Sequence, residues 1–325
     1  MTPARVLGVA LHTQVVGRGV ECDPHDEWGR GGFARRDPRF GPGVPQRGQD
    51  GHPLAIPRAR AYEGQFCACC ELDLRAAATY HTVATLAKAD ISLLLAARDT
   101  GKLEALCVEL SSTFPGTYSW ISVDMTRDDS ISQFAKELVA RNVVLDGAVL
   151  MPPQDPPTSD PLPSSEKWRE VLQNSFVGPL SLLKAAISRM APDPAKGRRC
   201  KVVIISGISS AQVMGNYASS NVVRCAWLAE AKTLAFALGD QGIHVNTLSP
   251  GGTLTPGYAA SLEKRAANAG ATVEQRLSEE TSNVPLRKYG TPEEVAGAVE
   301  GLLSTFSDHM TGLNVLYDGG FTRAY

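Results

Sequence analysis

The segment from Lys201 to Thr255 constrains the fold of this chain most. A short apolar run at 201–206 precedes a long helical pattern at 219–239, and a second apolar run at 243–249 ends in Pro250-Gly251. Two buried strands joined by a helix are typical of a right-handed βαβ unit in a parallel sheet. Because ligands bind beyond the carboxyl ends of such strands, we expect residues 206–224 and 250–255 to lie at a ligand site.

The same alternation of strand and helix extends over most of the chain. Apolar runs predict strands at 66–70, 91–96, 118–123, 147–150, 202–206, 244–248 and 313–317, and helices are predicted at 76–88, 101–112, 128–141, 166–190, 219–239 and 291–304. A capping box at 291–294, with proline at the first helical position, predicts the start of the last helix. This order predicts an α/β fold of the Rossmann type, a doubly wound parallel sheet in a single domain.

Composition divides the chain near residue 60. Residues 1–60 are rich in glycine, arginine and proline and show no sustained hydrophobic period, which predicts a disordered N-terminal extension before a domain at 61–325. The apolar run at 6–11 is too short for a convincing signal peptide. Residues 256–290 are predicted to form a partly helical lid over the ligand site.

Charge and cysteine content exclude several classes of partner. The chain has 325 residues, 43% of them hydrophobic, and a formal net charge of −2, so nothing in its electrostatics favours nucleic acid. No apolar run approaches the ~20 residues of a membrane-spanning helix. Seven cysteines show no disulfide or metal-site spacing, and Cys67, Cys69 and Cys70 fit a buried strand better than a zinc site. We therefore expect a cytoplasmic protein without a bound metal, nucleic acid or membrane.

The helical pattern after residue 219 carries a family resemblance. The phrase Arg224-Cys-Ala-Trp-Leu-Ala-Glu-Ala-Lys-Thr-Leu-Ala resembles the sequence that follows the catalytic tyrosine in short-chain dehydrogenases/reductases. In this register Arg224 takes the place of the family's catalytic lysine, Ser220 that of the tyrosine and Gly207 that of the serine. The resemblance covers about residues 65–325 and implies a nicotinamide-dependent oxidoreductase whose proton-transfer residues have changed.

These replacements alter the chemistry that the site can perform. A serine hydroxyl is a much weaker acid than a phenol, and arginine stays protonated, so neither can relay a proton as the family pair does. Arg224 remains able to bind a ribose, a phosphate or an oxyanion. The structural alternatives are a helix N-cap for Ser220 and a surface ion pair for Arg224. Tyr217 lies three residues out of register and is expected to point away from the site.

The resemblance also assigns residues to a cofactor. Arg98 ends the predicted second strand of the domain, where an arginine of the family commonly binds the 2′-phosphate of NADP. Asp124 takes the place of the aspartate that contacts adenine. Asn174 takes the place of the helix asparagine that organises a proton relay. Ser220, Arg224 and Asn174 are the candidate catalytic residues. Further candidates for cofactor binding follow the strand at 243–249, namely Pro250, Gly251, Thr253 and Thr255.

Two family features are missing from the sequence. The glycine-rich turn is expected at 72–79, where the chain reads Leu72-Asp-Leu-Arg-Ala-Ala-Ala-Thr79, and the family's Asn-Asn-Ala-Gly is replaced by Leu150-Met-Pro-Pro153. Glycines there let the backbone approach a diphosphate. Their absence predicts weak or altered dinucleotide binding. If residues 1–75 are not natural coding sequence, that would explain the lost glycines but not Gly207 and Ser220.

Several functions remain open at this level. The resemblance implies an NADP-linked oxidoreductase acting on an alcohol or carbonyl of a small, biosynthetic metabolite, and a homodimer or homotetramer. A redox-inactive relative acting as a cyclase or isomerase, and a pseudoenzyme serving as a partner subunit, fit the lost residues as well. The retained candidates Arg98, Asp124 and Thr255 favour the oxidoreductase, whereas the missing glycines favour the other two.

Overall fold

A computed structural model of the chain describes residues 5–10, 67–69 and 77–323, with side chains over 79–323. The chain divides into two units, residues 1–14 together with 61–325, and residues 15–60, which lie outside the described part. The predicted boundary at residue 60 therefore stays a prediction for most of the extension. Its first residues are an exception, because Arg5–Ala10 forms a strand of the main sheet.

The described strands and helices agree closely with the predicted pattern. The strands are β1 (Arg5–Ala10), β2 (Cys67–Cys69), β3 (Leu93–Ala97), β4 (Tyr118–Ser122), β5 (Val144–Leu150), β6 (Cys200–Ile205), β7 (Ile243–Pro250) and β8 (Asn314–Tyr317). The α-helices are α1 (Ala77–Lys88), α2 (Thr100–Thr113), α3 (Asp128–Ala140), α4 (Ser165–Leu172), α5 (Gly178–Ile187), α6 (Ala218–Leu238), α7 (Pro256–Asn268), α8 (Val273–Glu280) and α9 (Pro292–Leu303).

The sheet is parallel and runs in the order β4-β3-β1-β5-β6-β7-β8. β1 pairs with β3 through Leu7–Ala10 and with β5 through Arg5–Ala10, so it occupies the centre of the sheet. β2 pairs with β5 at a single position, Cys67 opposite Ala148, which Gly8 also faces. The doubly wound α/β prediction is confirmed, but the expected disorder is wrong for Arg5–Ala10.

Two hydrophobic clusters lie on opposite faces of this sheet. Leu94 and Ala96 belong to one cluster and Leu93, Leu95 and Ala97 to the other, as the alternation of side chains along a strand requires. The first cluster packs against α3, α5 and α6, and the second against α1, α2 and α9. Helices therefore cover both faces, and the strand ends are left as the accessible edges.

The predicted helix at 166–190 is interrupted in the structure. α4 ends at Leu172, and a π-helical turn, Gln173–Val177, joins it to α5. The Gly178 N–H bonds the carbonyl of Gln173, five residues back, and Pro179 has no N–H to donate. The Gly178-Pro179 pair is the sequence signal for this interruption.

The segment 256–290 is partly helical, since α7 and α8 occupy most of it, and its role as a lid stays a prediction. Thr255 caps α7, and capping boxes begin α8 at Thr272 and α9 at Thr291, the latter as predicted. Over the described part of the chain, no helix combines the length and the apolar character needed to cross a membrane.

Candidate active site

The candidate site lies at the carboxyl edge of the sheet. β5, β6 and β7 end at Leu150, Ile205 and Pro250, and because they are parallel the segments after them meet at this edge. A small cleft, partly open to solvent, lies between the first two of these segments and α6. Its lining residues are Pro152, Pro153, Gln154, Asp155, Ser175, Ile205, Ser206, Ser220, Val223, Arg224 and Trp227.

Arg224 is held in the cleft by several contacts. Its Nη1 donates to Oγ of Ser209 at 2.8 Å, and its Nη2 donates to Oε1 of Gln154. The ring of Tyr217 lies 5.8 Å from its Cζ, within the range of a cation–π contact. Burial lowers the pKa of the Arg224 guanidinium, with Tyr217 opposing that shift, yet arginine remains charged. The surface ion-pair alternative does not describe this arginine.

One nitrogen of Arg224 remains available to a ligand. Nε is buried and has no hydrogen-bond partner among the described residues. Ser206 is 5% exposed, and its Oγ likewise has no partner there. Both residues line the same cleft, so two donors without protein acceptors lie at the carboxyl end of β6.

Gly207 lies directly against the Arg224 side chain. A Cβ at residue 207 would approach Cζ of Arg224 to 2.7 Å and Nη1 to 2.8 Å. A serine at this position could fit only if the guanidinium moved away from Ser209 and Gln154. The two departures from the family pattern at 207 and 224 are therefore sterically linked.

The segment after β5 is hydrogen-bonded to the start of α6. Asp155 accepts a hydrogen bond from Oγ of Ser219 at 2.8 Å, and its other carboxylate oxygen forms an ion pair with Nζ of Lys167 at 2.9 Å. The N–H of Ala218 donates to the Thr158 carbonyl at 3.1 Å. Together with the bond from Arg224 to Gln154, these contacts fix the proline-rich loop that replaces the family's Asn-Asn-Ala-Gly.

Sequence reasoning missed Gln154 and Asp155. The available signal was their position: they are polar residues between two proline pairs, Pro152-Pro153 and Pro156-Pro157, immediately after a buried strand. Prolines fix the backbone of a loop, and the polar residues between them are then held in place to contact other elements.

The positions of Ser220 and Tyr217 differ from those expected from the sequence. Ser220 is 5% exposed and lines the cleft in the first turn of α6, whereas the N-cap position is Tyr217. The N-cap alternative for Ser220 is therefore wrong. The expectation that Tyr217 points away from the site is wrong as well, because its ring contacts Arg224.

Asn174 lies in the π-helical turn, next to Ser175 of the cleft. Gly178 bonds Gln173 and Pro179 has no N–H, so neither residue satisfies the Asn174 carbonyl. The adjacent Ser175 carbonyl accepts a hydrogen bond from Nε1 of Trp227 at 2.9 Å. The interruption thus lets the Ser175 carbonyl, beside Asn174, bond a side chain of α6.

Arg98 and Asp124 lie on the other half of the carboxyl edge, after β3 and β4. Arg98 is half-buried and follows directly on the strand that pairs with β1. Oδ1 of Asp124 accepts from the Thr126 N–H at 2.9 Å and from its hydroxyl at 2.7 Å, which orders the turn after β4. These residues are not among those that line the Arg224 cleft, and their assignment to the adenosine end of a cofactor stays a prediction.

The candidates after β7 lie where the chain enters the segment 256–290. Gly251 donates to the Tyr317 carbonyl at 3.0 Å, and a Cβ there would lie 2.9 Å from Cα of Asp318. Oγ1 of Thr253 donates to the Gly251 carbonyl at 3.2 Å, and the Thr255 hydroxyl accepts from the Tyr258 N–H at 3.2 Å. These bonds place Pro250, Gly251, Thr253 and Thr255 at the carboxyl edge, where α7 begins.

A metal centre is absent from the described side chains. No group of three His, Cys, Asp or Glu residues among them is arranged to hold a metal ion. The side chains of Cys67, Cys69 and Cys70 are not among those described, although Cys67–Cys69 does form the expected strand.

Comparison with known proteins agrees with this architecture. The family described as enoyl-(acyl carrier protein) reductase matches residues 77–322. Glucose 1-dehydrogenase 2 of Bacillus subtilis is 27% identical over 159 residues, 49% of this chain and 57% of that relative, so the chain matches little more than half of its length.

Solved structures show the same fold at low sequence identity. L-sorbose reductase of Gluconobacter frateurii, complexed with NADPH and L-sorbose, is 20% identical with a TM-score of 0.69 over 76% of this chain and 93% of that one. An NADPH-bound short chain oxidoreductase of Pseudomonas aeruginosa PAO1, described as containing an atypical catalytic center, is 22% identical with a TM-score of 0.65 over the same shares. With the family match spanning most of its length, the chain belongs to the short-chain dehydrogenase/reductase family.

Proposed function

We propose that this protein is an NADP-linked oxidoreductase that acts on a carbonyl or alcohol of a small metabolite. One observation carries the proposal: the carboxyl edge of the sheet presents Arg98 beside the central strand and Arg224 in the cleft next to β6. A dinucleotide lying along such an edge would place its adenosine end at the first cation and its nicotinamide near the second. NADPH in two structural neighbours is consistent with that choice of cofactor.

The residues present fit a dinucleotide in part. The half-buried Arg98 offers a charge-assisted contact to a 2′-phosphate, and the unpartnered Nε of Arg224 suits a ribose oxygen or a substrate oxyanion. The chain between β1 and β2, and most of residues 72–79, lie outside the described residues. NADP, when bound, would supply hydride transfer.

Each candidate residue has a role in this proposal. Asp124 would contact the adenine, and Pro250, Gly251, Thr253 and Thr255 would support the carboxamide and diphosphate from the base of the lid. Ser220 and the Asn174 segment would hydrogen-bond the substrate carbonyl or a water. Asp155 and Gln154 hold the cleft wall and the arginine in place. A non-redox catalyst or a partner subunit is favoured by the missing glycines alone, and no contact in the described site adds support for either.

Calorimetric titration of the full chain with NADPH and with NADH tests the proposal. We expect NADPH to bind more tightly than NADH. If neither dinucleotide binds, or if NADH binds more tightly, the assignment of an NADP-linked oxidoreductase is wrong.

A further inference from the structure

We propose that the free edge of β4 is a pairing surface for a second copy of the chain, and that the side chain of Arg141 holds this surface closed. In the open form two β4 strands pair antiparallel about a two-fold axis at Trp120, which joins the two sheets. The inference goes beyond the proposed function, because it involves neither a cofactor nor the cleft at the carboxyl edge.

β4 lies at one end of the sheet. Among the described strands it has a single neighbour, β3, so one side of its backbone faces away from the sheet. The Leu93 N–H donates to the Thr117 carbonyl at 2.9 Å, and the Val123 N–H donates to the Ala97 carbonyl at 2.8 Å. Because the residues of β4 that bond β3 alternate with residues whose groups point the other way, every second residue between 117 and 123 faces outward. These outward residues are Tyr118, Trp120 and Ser122.

Arg141 covers the centre of this edge. Its Nη1 donates to the outward carbonyl of Trp120 at 2.9 Å, and its Nη2 forms an ion pair with Glu137 at 2.5 Å. Arg141 is the C-cap residue of α3, where the helix dipole also favours a cation. Its side chain is 46% exposed, and an exposed ion pair contributes little to stability. The arginine therefore blocks the edge without being essential to the fold.

The outward groups of β4 suit a second β4 strand. In an antiparallel pair centred on Trp120, this residue faces its own symmetry mate, and Tyr118 of each copy faces Ser122 of the other. Residues that face each other in such a pair can exchange both of their hydrogen bonds, and here all of them carry the N–H and the carbonyl on the outer side. A two-fold contact of this kind is self-complementary. The large tyrosine also lies opposite a small serine.

The composition of the strand favours pairing as well. Residues 117–123 read Thr-Tyr-Ser-Trp-Ile-Ser-Val, with no charge, proline or glycine and with β-branched or aromatic residues at most positions. Beside the strand, Val108 of α2 is 65% exposed and lines an open groove together with Trp120. The groove also holds the charged residues Glu104 and Arg141, of which the arginine is bonded to the strand itself. The edge thus offers a partner both hydrogen-bonding groups and apolar surface.

Arg141 opposes this pairing in two ways. It occupies the Trp120 carbonyl, so the central hydrogen bonds of the pair cannot form while it stays in place. Because that carbonyl lies next to the two-fold axis, the guanidinium groups of the two copies would also meet there, and like charges repel. Charged side chains protect free strand edges in this way in many proteins. Removal of the arginine is therefore expected to open the surface.

Sedimentation velocity of the full chain and its variants, at several protein concentrations, tests the closure. Arg141→Ala should associate roughly tenfold more tightly than the parent, because it frees the Trp120 carbonyl and removes the like charges. Lys136→Ala, which removes an exposed cation from α3, is the matched control and should leave the association of the parent unchanged. Glu137→Gln removes only the anchor of the guanidinium and should give a smaller increase, which tests the proposal even if Arg141→Ala folds poorly.

Proline at residue 122 tests whether the association uses β4. Ser122 directs its N–H away from β3, so Ser122→Pro removes an outward donor and leaves the ladder to β3 intact. Added to Arg141→Ala, it should return the association to that of the parent.

Amide hydrogen exchange gives a second readout of the same surface. The N–H groups of Tyr118, Trp120 and Ser122 should exchange fast in the parent, because they face away from β3. In Arg141→Ala they should become protected as the protein concentration rises.

Each of the contrary results would overturn the proposal. Equal association of the parent, Arg141→Ala and Glu137→Gln would show that the arginine does not close the edge, and so would protection of the three amides in the parent. Stronger association that persists with Ser122→Pro, or that leaves these amides unprotected, would place the contact elsewhere on the molecule. Protection that does not depend on protein concentration would exclude a second copy as the occupant.

Discussion

The guanidinium of Arg224 lies against the Cα of Gly207, and a Cβ at residue 207 would come within 2.7 Å of Arg224 Cζ. The family's serine and this chain's arginine therefore compete for the same space. Their stability effects should not be additive, because residues in direct contact are energetically coupled.

Replacement of Gly207 by serine should destabilise the protein by about 1–3 kcal/mol, the usual cost of overpacking, because the guanidinium must leave its partners. The same change combined with Arg224→Lys should cost at least about 1 kcal/mol less than the sum of the single changes. Urea unfolding of the four proteins measures the coupling. Additive values would mean that the guanidinium moves aside freely.

Removal of the Arg98 side chain should discriminate between the dinucleotides. A charge-assisted hydrogen bond contributes about 1.5–3 kcal/mol, so Arg98→Ala should weaken NADPH binding by roughly ten- to a hundredfold. NADH, which lacks the 2′-phosphate, should bind almost as before. Calorimetric titration of both cofactors measures the ratio, and Arg127→Ala, a change in an exposed arginine paired with Asp129, is the control. Equal losses for both cofactors would remove this role from Arg98.

His244 should make the protein less stable in mild acid. Desolvation, and then the charge of Lys201 on the neighbouring strand, lower the pKa of His244, with Arg199 adding to the shift and Asp308 opposing it. The unfolded chain then binds a proton at higher pH than the folded chain, so stability should fall as pH drops through about 6.5.

Urea unfolding between pH 7.5 and 5 measures this loss. His244→Gln should flatten the profile between pH 7 and 5, whereas His309→Gln, a change in an exposed histidine, should leave it unchanged. An unchanged profile in His244→Gln would show that other groups cause the acid sensitivity.

Removal of residues 1–60 should damage the fold, contrary to the expectation from composition. Arg5–Ala10 pairs with β3 on one side and β5 on the other, so its loss exposes two strand edges in the middle of the sheet. We expect the chain beginning at Ala61 to unfold without a cooperative transition, and the chain beginning at Ala4 to unfold like the parent. A stable, cooperative chain from Ala61 would show that β1 is dispensable.

The order of the segment 256–280 should depend on the carboxylate of Glu280. Glu280 accepts hydrogen bonds from Tyr258 at 2.5 Å, from Arg265 at 2.9 and 3.0 Å and from Arg276 at 3.0 Å. Glu280→Gln keeps the shape but removes the carboxylate that pairs with Arg265 and shares Arg276 with Glu279, so residues 256–280 should be cleaved sooner in limited proteolysis. Glu263→Gln, at an exposed position of α7, is the control, and equal cleavage of the two variants would contradict the role of Glu280.

The sequence predicts the framework well because strands buried on both faces leave unambiguous apolar runs. The runs at 91–96 and 202–206 became β3 and β6 with shifts of one or two residues at their ends. The strand at Arg5–Ala10 was missed for a physical reason: its six residues adjoin a long glycine- and proline-rich segment, and only the pairing with β3 and β5 distinguishes it from that segment.

The site was predictable only in its linear register. The spacing from Arg224 to Ser220 identified two residues that share the cleft, but it could not indicate where side chains point. Gln154 reaches the arginine from 70 positions away, and Tyr217 contacts it because the chain enters α6 at that residue. Such contacts depend on tertiary packing, which a local pattern does not encode.

The fluorescence of Trp227 should report on ligands bound in the cleft. The indole is 1% exposed, lines the cleft, bonds the Ser175 carbonyl and packs edge-on against Phe176 at 5.0 Å. The chain contains four tryptophans, and with the other three changed to phenylalanine its fluorescence would come from this position alone. A reduced nicotinamide bound nearby would quench that emission by energy transfer, whereas a ligand held only at the Arg98 end of the sheet would leave it almost unchanged.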